Sequence, residues 1–185
     1  MLDPMPECAS KISIDDISID QLKVETLRER LIAMPQDAVF LPDGASVRDN
    51  LDPLGQASSQ ACYYALGRVG LLSRLPDLDA TLNWKALSDG SRQLFCLARC
   101  VVRRHIRLER HGVDGGLLLL DEISAHVDDE TAETMLRIVE GEFVHYTILA
   151  VTHRLWRAGT FQRALVMESG RVIEDADAGE LLRDK

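Results

Sequence analysis

Two adjacent carboxylates close an apolar run in "LLLLDEISAHVD", Leu117 to Asp128. An acidic pair at the end of a buried strand suits a hard, oxygen-seeking cation, and magnesium on a nucleotide is the commonest chemistry of that shape. Asp121 would emerge at the C-terminal end of a central strand, where open α/β sheets bind ligands, and could hold Mg²⁺ mainly through water. Glu122 beside it can face a different atom, as a general base for an attacking water must if the metal is not to consume it. Standing alone, the pattern is equally well a strand that ends in a solvated acidic turn. A second constellation is "LSDGSRQ", Leu87 to Gln93. Ser88 and Gly90 sit where a long helix begins, so a hydroxyl, bare amides and the positive end of the helix dipole converge as they do in phosphate sites. For an isolated motif, a serine N-cap with a permissive glycine behind it is the better explanation.

Strands and helices alternate along the chain, which predicts an α/β fold. "KISID" from Lys11 alternates as a half-buried strand, "VETLRER" reads as a short helix, and "LIAMPQ" from Leu31 as a buried strand stopped by Pro35. From Val47 to about Trp84 the chain reads as helix and loop without a strand, its best helix being "SSQACYYALGRVG". Leu94, Ala98, Val101 and Val102 share one face of a helix expected over Ser88 to about His105, with Leu97 beside them. "LLLLDE" and "TILAV" predict buried strands around a helix at "ETAETMLRIVEGE". "ALVMESGRVIED" predicts a hairpin turning at Ser169 and Gly170, followed by a terminal helix capped by Asp177.

The 185 residues suit one domain. A net charge of −9 argues against nucleic acid as a bulk electrostatic partner. No apolar run reaches the roughly 18 residues of a membrane span, so any membrane contact would come through a partner. The N-terminus lacks the basic and apolar features of a secretory signal, and the four cysteines form no CxxC pair, as in a reducing, cytoplasmic compartment. Cys96 and Cys100 read as small apolar residues on a helix rather than metal ligands.

Taken together, the motifs resemble the nucleotide-binding domain of the ATP-binding cassette (ABC) family. "LSDGSRQ" is similar to that family's signature, and "LLLLDEISAHVD" resembles its Walker B strand, catalytic glutamate and D-loop in order. "PQD" with Gln36 is similar to the Q-loop, and "AVTHR" with His153 to the switch histidine. "ASVRDNLDP" further resembles the second such domain of multidrug-resistance-associated exporters. The resemblance implies a partial RecA-like P-loop NTPase core carrying a helical subdomain, with ATP and Mg²⁺ as ligands. It implies Asp121 as the magnesium carboxylate, Glu122 as the base, His153 as a γ-phosphate contact, and Gln36 as approaching metal and water while its loop meets the coupling helix of a membrane domain. Ser88 and Gly90 would serve a nucleotide bound mainly by a second domain, across an interface lined by Ser124 to Asp128. The implied partners are that second nucleotide-binding domain and transmembrane domains, with the chain on the cytoplasmic side of a membrane.

Some residues depart from the pattern. The four lysines, Lys11, Lys23, Lys85 and Lys185, never follow glycine, so no G-x-x-x-x-G-K-[ST] cradle is present. "MLDPMPECASKISIDDISI" resembles the stretch after the P-loop helix, with Asp15 and Asp16 in the turn, as if Met1 fell within or just beyond that helix. The expected organisation is a core remnant over 1–41, a helical signature subdomain over 42–111, and the Walker B to switch-histidine part over 112–185. Asp89 and Ser91 depart from the usual signature, and the basic stretch "RCVVRRHIRLERHGVDGG" reads as a solvated helix end and loop. Two other readings are a non-catalytic fragment docking on an intact ABC protein and, further off, the C-terminal lobe of a chromosome-maintenance type ATPase. The latter predicts a heptad segment that the sequence lacks.

Overall fold

A computed structural model describes residues 12–123, 127–153 and 161–181. The first elements are β1 (Ser13–Ile14) and β2 (Ile17–Ser18), a minimal hairpin whose turn residues Asp15 and Asp16 are both left-handed, at φ 50° and 63°. They lead through α1 (Val24–Arg30) into β3 (Leu31–Met34). Pro35 follows immediately, and its missing N–H stops the ladder.

The helical stretch holds α2 (Val47–Leu51), α3 (Ser59–Arg68) and α4 (Asp89–His111). Each begins on a serine: Ser46 closes a reciprocal capping box with Asp49, and the Ser58 and Ser88 hydroxyls accept from the amides of Ala61 and Ser91. Helix α4 runs to His111, beyond the expected His105, and ends on left-handed Gly112. Its second half is not a solvated end. Arg104 pairs with Asp114 and the buried Glu142, while the buried Arg107 donates to the Arg30 carbonyl oxygen.

Next come β4 (Gly116–Asp121), α5 (Asp129–Glu142) and β5 (Tyr146–Val151), then a hairpin of β6 (Arg163–Glu168) and β7 (Arg171–Asp177). The hairpin turns on Ser169 and Gly170, both at positive φ, as a tight two-residue connection requires. A single helical turn, Ala178–Leu181, follows, and Asp177 accepts from the Gly179 amide.

Strands β3, β4 and β5 form a parallel sheet in that order, with Met34 opposite Leu120 and Asp121 opposite Val151. The core is one cluster in which Leu118 and Leu120 of β4 meet Phe95, Leu97, Val101 and Val102 of α4 and Met135 and Val139 of α5. The expectation that "TILAV" is a buried strand does not hold. Leu149 and Val151 are 55% and 52% exposed, because the core cluster takes only one face of the sheet among the described residues. The same asymmetry leaves Leu117 and Leu119 of β4 only half-buried.

Candidate functional site

Parallel pairing puts the C-terminal ends of β3, β4 and β5 side by side, so the residues two or so places beyond each strand become neighbours. Gln36, Glu122 and His153 occupy those places. Gln36 Nε2 donates to Glu122 Oε2 at 3.3 Å, and His153 Nε2 lies 2.6 Å from Glu122 Oε1. Glu122 is half-buried, whereas the His153 side chain is 81% exposed.

The backbone of Glu122 helps to make this arrangement. Its φ is 45°, a left-handed conformation uncommon outside glycine and characteristic of constrained sites. Its amide still donates to the Val151 carbonyl oxygen at 3.1 Å, so the bend occurs while the residue remains tied to β5. Asp121, one residue earlier, is exposed, and its carboxylate has no ion pair or hydrogen bond among the described residues.

The oxygen donors suit a hard cation of the magnesium type. The Asp121 carboxylate is open, and the Gln36 amide oxygen is left over once its nitrogen has bonded Glu122. Among the described residues no group of three or more His, Cys, Asp or Glu forms a metal cage.

Ser88, Gly90 and Asp128 form a second group, at the starts of α4 and α5. Ser88 Oγ accepts from the Ser91 amide at 3.2 Å and donates to Ser91 Oγ at 3.0 Å, so the serine does cap its helix. A Cβ at Gly90 would lie 3.4 Å from the Thr131 side chain, an ordinary van der Waals contact, so the two helix starts are near neighbours. Asp128 accepts from the Thr131 amide and hydroxyl, both at 2.8 Å, and that amide first of all holds its carboxyl below the usual range. Asp89 is exposed and pairs with Arg92 at 3.1 Å. Ser124, Ala125 and His126 of the expected D-loop lie outside the described residues.

One residue escaped the sequence reading. Gln93, 6% exposed, donates from Nε2 to the Gln36 carbonyl oxygen at 2.6 Å, tying the first turns of α4 to the loop after β3. Its signal was an amide on the inward face of α4, three and four residues before Cys96 and Leu97. The same side chain leaves Oε1 buried without a partner among the described residues.

The sequence and the parallel α/β fold both have parallels among known proteins. The chain is homologous to ABC transporters over nearly its whole length. It is 39% identical over 192 residues, spanning all of this chain, to the ABC-type transporter braE of Annulohypoxylon truncatum. It is 40% identical over 187 residues, or 99% of the chain, to ABC transporter FGM5 of Gibberella zeae. It spans only 13% of the length of each. A bacterial Atm1-family ABC exporter solved with ATP bound shares the fold, with a TM-score of 0.77 and 25% identity over 93% of this chain and 30% of that one. No family model matches the chain. Among the described residues no helix is long and apolar enough to cross a membrane.

Proposed function

We propose that this chain is part of the nucleotide-binding domain of an ATP-driven exporter and acts within a larger assembly that supplies the main phosphate cradle. The observation that carries this reading is the meeting of Gln36, Glu122 and His153 from three separate strand ends. Glu122 is the residue placed to take a proton from water, because its carboxylate is held between an amide and an imidazole rather than buried in an ion pair. Gln36 fixes one carboxylate oxygen and turns its own carbonyl oxygen toward the cation site. His153, exposed enough to turn from Glu122 toward a phosphoryl oxygen, can donate a hydrogen bond to charge developing there. Asp121 would hold Mg²⁺, which supplies charge neutralisation on the phosphates when bound.

The starts of α4 and α5, with Ser88, Gly90 and Asp128, form the face that meets a nucleotide held by a second domain in a head-to-tail pair. Two helix dipoles starting at one spot favour an anion there. The loop beyond Gln36 would transmit the state of the site to transmembrane domains on the cytoplasmic side of a membrane. Because the sequence has no glycine-lysine cradle, the purified chain should bind Mg·ATP weakly or not at all. Isothermal titration tests this, and a sub-millimolar Kd would overturn the reading.

A further inference from the structure

Gln93 is 6% exposed near the start of α4, on the face that carries the buried Cys96, Leu97 and Cys100. A helix face of that kind is ordinarily apolar, and a buried amide suits it only when both of its ends are bonded. Gln93 has one end bonded. The Gln36 carbonyl oxygen can only accept, so the Gln93 atom 2.6 Å from it is the nitrogen, and Oε1 is the end buried without a partner among the described residues. A side chain kept in the core with an unmatched acceptor calls for a reason, and the bonded end supplies it.

That end holds a residue of the site. Gln36 is gripped twice, through its main chain by Gln93 and through its side-chain nitrogen by Glu122 Oε2 at 3.3 Å. The first bond is short and the second is just beyond the usual N–H···O range, so the second depends on where the first puts the chain. Arg99, further along α4, donates to the Val39 carbonyl oxygen, so the helix holds the loop after β3 at two points. The start of the helix is itself fixed. Ser91 Oγ accepts from Ser88 Oγ and from Arg74 Nη1, both at 3.0 Å, and Arg92 donates to the carbonyl oxygens of Trp84 and Lys85, both at 3.3 Å.

We propose that Gln93 is a positioning residue for Glu122. By fixing the Gln36 main chain to α4 it keeps the Gln36 amide on one carboxylate oxygen, which leaves the other for His153 and for a proton taken from water. The relay runs from α4 through Gln93 and Gln36 to Glu122, and a displacement of the helix start reaches the carboxylate along it. The proposal rests on the functional reading only in calling Glu122 the base; the relay itself is tested without nucleotide.

The experiment follows the Gln36 side-chain amide resonances of the purified chain by heteronuclear NMR. Glu122→Ala removes the acceptor and gives the position of the unbonded amide. Gln93→Met keeps the length of the side chain and drops both polar ends, and it should move the Gln36 signals most of the way to that position. Introduced into Glu122→Ala, the same substitution should move them no further, whereas a side chain that only fills space would act alike in both backgrounds. Glu122→Ala should in turn shift the Gln93 side-chain amide signals, a readout that needs no change at Gln93 and stands even if Gln93→Met does not fold. Circular dichroism checks the fold of each variant. Gln36 signals that stay in place in folded Gln93→Met, an equal displacement with and without the Glu122 carboxylate, or Gln93 signals indifferent to Glu122→Ala would each overturn the proposal. The ATP titration decides the functional reading separately, since none of these signals depends on nucleotide.

Discussion

At Glu122 the left-handed backbone costs a side chain with a Cβ about 1 kcal/mol or more. Comparing Glu122→Ala with Glu122→Gly isolates that cost, since both lack the carboxylate that holds Gln36 and His153. The glycine variant should be the more stable by about 1 kcal/mol in urea denaturation. Equal stabilities would mean that the backbone relaxes out of the left-handed region once the carboxylate is gone. The buried thiols give a second residue-scale expectation. Burial pushes Cys100 up to about 12 and raises Cys62 and Cys96 as well, so all three stay protonated and inaccessible in the folded chain. With Cys8→Ser introduced, a thiol reagent at mildly alkaline pH should modify nothing until denaturant is added, after which three groups react. At this scale the sequence identified the acid, the amide and the imidazole by type and order. It could not show that Glu122 sits at positive φ, or that Gln93 bonds the Gln36 main chain, because both depend on residues far away along the chain.

Among the elements, α4, α3 and α5 are joined by one buried carboxylate. Glu142, 4% exposed, accepts from Tyr64 at 2.8 Å, Arg68 at 2.5 Å and Arg104 at 3.0 Å. Removing it by Glu142→Ala leaves Arg104 its bond to Asp114 but strips Arg68 and Tyr64, and should cost about 3 kcal/mol in urea denaturation. Glu142→Gln, which can still accept from Tyr64, should cost less. Asp114 adds a pH dependence. The Arg104 hydrogen bond first of all holds its carboxyl below the ordinary 3.8, so its contribution is complete above that value and is lost as pH falls through the lower native value. Asp114→Asn should flatten that acid limb of the stability curve. The elements themselves were largely legible, because apolar periodicity and serine caps are local signals: β3, α3, the start of α4, β4, α5 and the hairpin fall where those signals place them. The end of α4 was not. Arg103, Arg104 and Arg107 read as a solvated basic run because their partners, Arg28, Asp114, Glu142 and Arg30, lie at other points of the chain. The exposure of β5 was equally hidden, since an apolar strand does not say which of its faces a neighbour will cover.

For the molecule as a whole, the proposed function divides the nucleotide chemistry. One group of residues gathers around Glu122, another at the starts of α4 and α5, and neither contains a lysine cradle. Thermal denaturation measures how much that division matters, because a ligand that binds only the folded state raises stability by an amount fixed by its concentration relative to Kd. If Mg·ATP binds with a Kd of about 1 mM, adding about 1 mM ligand contributes only about 0.4 kcal/mol. For a chain of this length that is a rise in Tm of about 1 °C. Asp121→Asn should then leave even that small shift little changed, since a carboxylate acting through Mg²⁺ gains its effect only where phosphates are already held. A rise of several degrees in the chain alone, lost in Asp121→Asn, would instead locate a complete magnesium-nucleotide site within these residues.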